Sequence, residues 1–161
     1  MHKIQLHKNV KAVLVIALIS VLLLSPMILN HTAIMGVDSY FQNNRIYEAA
    51  MQIKHGNFSF MNLYSFQQSG RIVNEVYSPL LGYVFGALLL VTGTWFKFEV
   101  LVNGILFFAA GTTAYFAARK LRVPLKMSIA TAVIFMTSIS IYGYIFGGTW
   151  RAFALALVPL L

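Results

Sequence analysis

Asp38 is one of only four carboxylates in 161 residues, and it opens the stretch DSYFQNNRIYEAAMQIKH. At 100° per residue, Asp38, Gln42, Arg45 and Gln52 gather on one side of a helix, with Glu48 and His55 towards its edge. A carboxylate in a first helical turn has two uses. It can cap free N–H groups and offset the helix dipole. Alternatively, it can be presented beside amides that favour phosphate and work as a base on a bound hydroxyl. Arg45, two turns on, is placed to pair with Asp38 or to hold an anionic group. Glu75, in the polar stretch RIVNEVYSP, and His55 are weaker candidates, and His31 and His55 lack metal-ligand spacing. Arg151 stands before a last apolar run as either an anion contact or a phospholipid anchor. No Gly-rich phosphate loop, HExxH, nucleophile elbow or helically spaced carboxylate pair is present. The metal question stays open, although the absence of cysteine excludes disulfides and Cys-ligated metals.

The element that must carry these residues is a helix over about 38–55. Its other face holds Tyr40, Ile46, Tyr47, Ala50, Met51 and Ile53, and Gly56-Asn57 is a good stop. Such a helix is expected to lie flat on a membrane surface, apolar side down.

The composition points the same way. The chain is 59% hydrophobic and 10% charged, with mean hydropathy +0.75, against about 25% charged in soluble domains. Four uncharged apolar runs, Ala12–Leu29, Pro79–Phe96, Val100–Ala118 and Met127–Trp150, approach the ~20 residues a spanning helix needs. Backbone amides have no water partner in hydrocarbon, so such runs must be helical, and barrel alternation is absent. The net charge of +8 invites a nucleic-acid partner. It is rejected, because the basic residues sit in short flanks of apolar runs, where they orient and anchor a membrane protein.

Lys3, Lys8 and Lys11 put the N-terminal segment 1–11 in the cytoplasm. If 79–96 spans, short loops hold four positive charges inside and seven outside, the latter including Arg119, Lys120, Arg122 and Lys126. If it does not, those four join the N-terminal lysines to make seven inside, with five outside over a longer segment. The second arrangement obeys the positive-inside rule. The expected order is then a span over 12–29, an external loop over 30–98 and a second span over 99–118. Within that loop come the amphipathic helix and an embedded or re-entrant helix at about 79–96. A cytoplasmic basic loop over 119–126, a third span over 127–146, a short external loop over 147–151 and a fourth span beginning at 152 complete it. The sequence stops inside that last run, so the chain is expected to be the N-terminal part of a larger protein.

This order of features is similar to the N-terminal part of the GT-C class of polytopic glycosyltransferases. The relevant features are a basic N-terminus, one span, GVDSYFQNNR, a helix ending IKHGNFSF, VYSPLLGYVFGALLL and spans flanking a basic turn. It especially resembles bacterial membrane proteins of the YfhO type and those called 6-pyruvoyl-tetrahydropterin-synthase-related. Gly36, Asp38, Phe41 and Arg45 fit the family's first-loop pattern, with Gln42 where His is common. Tyr142, Arg151, Ala152 and Pro159 fit a later segment, but its Gly after the Arg and the following Glu are missing.

The resemblance implies an all-α integral membrane fold: a polytopic helical bundle with interfacial helices in its first external loop. It implies a multi-pass protein of the cell membrane moving sugar from a polyprenyl-phosphate carrier to a glycan or other cell-envelope acceptor. It makes Asp38 the catalytic carboxylate, acting as base or helping to hold a divalent metal, with Arg45, Arg151 and Gln42 as donor-phosphate contacts. The lipid bilayer is a partner on either account. The alternative is a non-enzymatic polytopic protein, a transporter component or an envelope-assembly subunit. Transporters place ionisable groups inside their spans, and none lies within 12–29, 100–118 or 127–150.

Overall fold

The computed structural model describes residues 2–36, 38–77, 79–148 and 150–161, the side chains of 2–8, 74 and 75 excepted. It is all-helical, with no strand among the described residues. The helices are α1 His2–Leu23, α2 Ser25–Asn30, α3 Ser39–His55, α4 Val73–Val76, α5 Pro79–Thr92, α6 Trp95–Lys120, α7 Leu125–Thr137, α8 Ile139–Phe146 and α9 Arg151–Leu157. They fall into two compact units, one of residues Met1–Gly36 with Val100–Leu161, the other Val37–Glu99.

In the first unit, the run expected as one span over 12–29 is broken at Leu24. Pro26, at the start of α2, has no N–H to donate and its ring crowds the preceding turn, so α1 cannot continue through it. The span expected over 127–146 is likewise two helices, α7 and α8, bent by 49°. At the break Ser138 adopts φ −59°, ψ 142°, and its Oγ donates to the Phe135 carbonyl at 2.8 Å. The expected 99–118 span is continuous but longer, beginning at Trp95 because Gly93 turns left-handed (φ 72°) and Thr94 Oγ1 accepts from Lys97 N at 3.3 Å. At 26 residues α6 is about 39 Å long. It is the one helix, among the described residues, long and apolar enough to cross a membrane, and the bent α7–α8 pair qualifies only if taken together.

The core of this unit brings α1, α6 and α7 together around Ile16, Phe107, Ala110, Tyr115, Ala132 and Met136. Small residues permit the approach: a Cβ on Gly111 would meet Met136 Sδ and Ile16 Cγ2 inside contact distance. Two of the polar side chains here find internal partners. Tyr115 donates its hydroxyl to Asn9 Oδ1 at 2.9 Å, and Thr113 Oγ1 donates to the Ala156 carbonyl at 2.6 Å.

The second unit is a hairpin of α3 and α5 with residues 56–72 folded back on α3. Gly56, left-handed at φ 65°, ends α3 as its sequence implies. The α3–α5 contact is backbone-close: a Cβ on Gly86 would lie 2.6 Å from Ala50 N and 2.9 Å from Ala49 C. Gly86→Ala therefore forces the helices apart and is expected to cost about 1–3 kcal/mol, measured as a lower denaturation midpoint. Gly143→Ala, in α8 with nothing within 4 Å of its Cβ, is the control and should be neutral or slightly stabilising. Equal midpoints for the two variants would sink the packing argument. With 14 residues, α5 is about 21 Å long, short of a ~30 Å hydrocarbon core.

Candidate functional site

Asp38 precedes α3 and is exposed, but it does not cap the helix with its side chain. Its backbone is the reason. At φ −99°, ψ −2° it lies in the helical region rather than the extended one from which an N-cap side chain folds onto the first amides. Its carbonyl accepts from Gln42 N at 3.0 Å, so the residue begins the helix while its carboxylate stays on the surface.

The rest of the polar face does not follow it there. Arg45, Glu48 and Gln52 are buried, while Tyr40 and Tyr47 of the other face are exposed, so α3 is not the expected helix with its polar side to water. Arg45 donates from one terminal nitrogen to Gln42 Oε1 at 3.1 Å. Its guanidinium stands 5.0 Å from the Tyr77 ring centre and 5.8 Å from that of Phe41, a cation–π arrangement. Burial draws the guanidinium below its ordinary pKa, with Tyr77 opposing, and it remains protonated. Arg45 and Gln42, expected as donor-phosphate contacts, are thus engaged with each other, and an anion reaches Arg45 only by displacing the aromatic packing.

Glu48, a marginal residue on the helical wheel, organises the site. Fully buried, it accepts from three successive backbone amides: Leu63 N at 2.7 Å on Oε1, and Tyr64 N at 2.8 Å and Ser65 N at 2.7 Å on Oε2. Gln52 Nε2 adds a fourth bond to Oε1 at 2.9 Å. Burial alone would raise the carboxyl pKa, but these bonds to the charged form outweigh it and hold the group below the ordinary glutamate value. Gln52 carries the clasp onward. Its Oε1 accepts from Tyr83 Oη of α5 at 2.6 Å and from Ser59 N at 3.2 Å, and its Nε2 reaches the Ser59 and Met61 carbonyls.

The remaining expected residues lie apart from this cluster. His55 is exposed at the end of α3, bonded through Nδ1 to the Met51 carbonyl at 2.8 Å and stacked on Tyr64 at 5.1 Å. Arg151 opens α9, exposed, and belongs to the other unit. The Glu75 side chain lies outside the described residues. The fourth acid, Glu99, passed unremarked in the sequence, sits partly buried in the first turns of α6 and takes a hydrogen bond from Asn43. Its signal was an acid at the very edge of an apolar run. No group of three or more His, Cys, Asp or Glu that could hold a metal ion occurs among the described residues. Among the described residues this leaves one exposed carboxylate, Asp38, whereas that of Glu48 is consumed by backbone amides. No family model matches the chain, and no curated protein or solved structure matches it significantly.

Proposed function

We propose that this chain belongs to a polytopic membrane glycosyltransferase of the GT-C type, moving sugar from a polyprenyl-phosphate carrier to a cell-envelope acceptor, with Asp38 as the catalytic base. The observation that carries this reading is the contrast between Asp38 and Glu48. Glu48 is spent on holding the loop, whereas the Asp38 carboxylate is exposed at the start of a 17-residue helix and makes no capping bond. A base must be within hydrogen-bond reach of the acceptor hydroxyl it deprotonates, and a surface carboxylate with no capping bond is free to approach one. Asp38→Asn in the intact protein, reconstituted in membranes with lipid-linked donor, should abolish sugar transfer while leaving the protein level unchanged. Undiminished transfer overturns the assignment.

The topology is multi-pass in the cell membrane, with residues 30–98 on the external side and the N-terminus cytoplasmic. The length of α5 supports it, since about 21 Å of helix does not bridge the bilayer without thinning it. The absence of native cysteine makes this simple to examine. A cysteine at Lys97 should be labelled from outside by an impermeant thiol reagent, and one at Arg122 should not. The reverse pattern, or labelling of both, refutes the arrangement.

The non-enzymatic reading has one observation in its favour. Arg45 and Gln42, the donor-phosphate contacts the enzyme reading calls for, are engaged in internal packing. The Asp38→Asn assay separates the two readings.

A further inference from the structure

Two guanidinium groups flank one aromatic cluster in the second unit. Phe41 packs between Phe66, at 5.9 Å, and Tyr77, at 5.4 Å. Arg45 backs Tyr77, and Arg71 lies over Phe66 at 5.6 Å. In front of this cluster Phe41, Arg71, Ile72, Val73, Val76 and Tyr77 line an open groove of about 380 Å³. That is large enough for part of a small ligand. Among the described side chains its walls are apolar except for Arg71, which is exposed, and the Tyr77 hydroxyl, and both Ile72 and Val76 present their side chains to the outside (49% and 74% exposed).

Such a groove makes two demands together. Exposed hydrocarbon wants an apolar occupant, and a guanidinium at the rim wants an anion, which it grips in a planar, bidentate way. A molecule satisfying both has an anionic head joined directly to a hydrocarbon chain. The wall is also set in advance. Asn62 N donates to the Arg71 carbonyl at 2.7 Å and Val73 N donates to Asn62 Oδ1 at 3.3 Å. Asn62 itself is fully buried, so little ordering remains to be done on binding.

We propose that this groove binds an anionic glycerophospholipid of the bilayer, one acyl chain lying along Phe41, Ile72 and Val76 and the phosphodiester resting on Arg71. The proposal rests on the membrane association proposed above. It also revises which part of the second unit meets lipid: the segment after α3 rather than the apolar face of α3 alone.

The test uses the intact chain in mixed micelles holding equal amounts of phosphatidylglycerol and phosphatidylcholine. Lipid retained after purification is counted by mass spectrometry. The wild type should retain phosphatidylglycerol about fivefold over phosphatidylcholine, the preference one basic group confers near an anionic head. Arg71→Gln should abolish the preference, Arg71→Lys should keep part of it, and Val76→Trp should reduce retention of both lipids by filling the groove. No preference in the wild type, or one unchanged in Arg71→Gln, overturns the assignment. Displacement of the retained lipid by inorganic phosphate alone, with Val76→Trp without effect, also overturns it, because the ligand would then be a free anion. Integration into vesicles is scored separately by carbonate-resistant sedimentation. A chain that integrates but shows no preference refutes only the groove, and one that fails to integrate refutes the membrane reading.

Discussion

Glu48→Ala is expected to lower the stability of the second unit by about 3 kcal/mol. The substitution strands three backbone amides, those of Leu63, Tyr64 and Ser65, while Gln52 Nε2 keeps the Ser59 and Met61 carbonyls. Each buried donor left unpaired costs roughly 1–3 kcal/mol, and partial relaxation of the loop keeps the total near the lower end of the sum. Glu48→Gln is the sharper probe because it keeps the shape. Its amide group would turn an N–H towards backbone N–H donors, so it too should destabilise, by about 1–3 kcal/mol. Chemical denaturation in detergent and limited proteolysis of residues 57–72 measure the two effects. If both variants unfold within about 0.5 kcal/mol of wild type, the range of ordinary surface changes, the carboxylate does not hold the loop.

The same carboxylate sets a pH dependence whose sign follows from its depressed pKa. A group held below its ordinary value in the folded state contributes stability that is fully present above the unfolded pKa. That contribution is lost as the pH falls through the folded one. The window therefore opens at the usual glutamate range and extends downward in pH. Acidification from neutral should leave this contribution intact until that range and remove it below. Glu48→Gln should remove this part of the acid response.

The second large effect belongs to chemistry. Asp38→Asn preserves size and surface position while removing the basic lone pair, and a positioned general base contributes about 10²–10⁴-fold. A loss of that size should appear in kcat, with KM for the lipid donor little changed, because Asp38 acts on the acceptor rather than on the carrier. Stability should stay within about 0.5 kcal/mol of wild type, since the side chain is exposed and makes no capping bond. A fall in activity that tracks a fall in folded protein would instead make Asp38 structural.

How much of this was legible in the sequence depends on what each signal reports. The end of α3 was legible because Gly56 has a local reason to sit there, a left-handed backbone that other residues adopt reluctantly. The breaks at Leu24 and Ser138 were not seen, because hydropathy is averaged along a run and is blind to backbone direction. Pro26 was the signal available for the first, and Ser138 offers no comparable one. The burial of α3's polar face is illegible for a different reason. A helical wheel says which residues share a face, but not what packs on it, and the partner of Glu48 is a set of amides that carries no side-chain signature at all. The charge of Arg45 is plain in the sequence, but its guanidinium packs on Tyr77, 32 positions along the chain. Asp38 was legible as a candidate, whereas its failure to cap follows from two dihedral angles that residue type does not determine.

The Glu48 clasp joins residues 15 to 17 positions apart in a chain that has no cysteine with which to tie such a loop covalently. A disulfide would restrict the unfolded chain permanently, whereas a carboxylate closes the same circuit only once α3 has formed. The amides of Leu63, Tyr64 and Ser65 should thus exchange with deuterium as one set, at a rate that reports how often the loop opens while the helices stay folded. Their common exchange rate would be a clock on a single opening event, one that becomes more frequent once the pH falls below the ordinary glutamate range and that involves no redox chemistry.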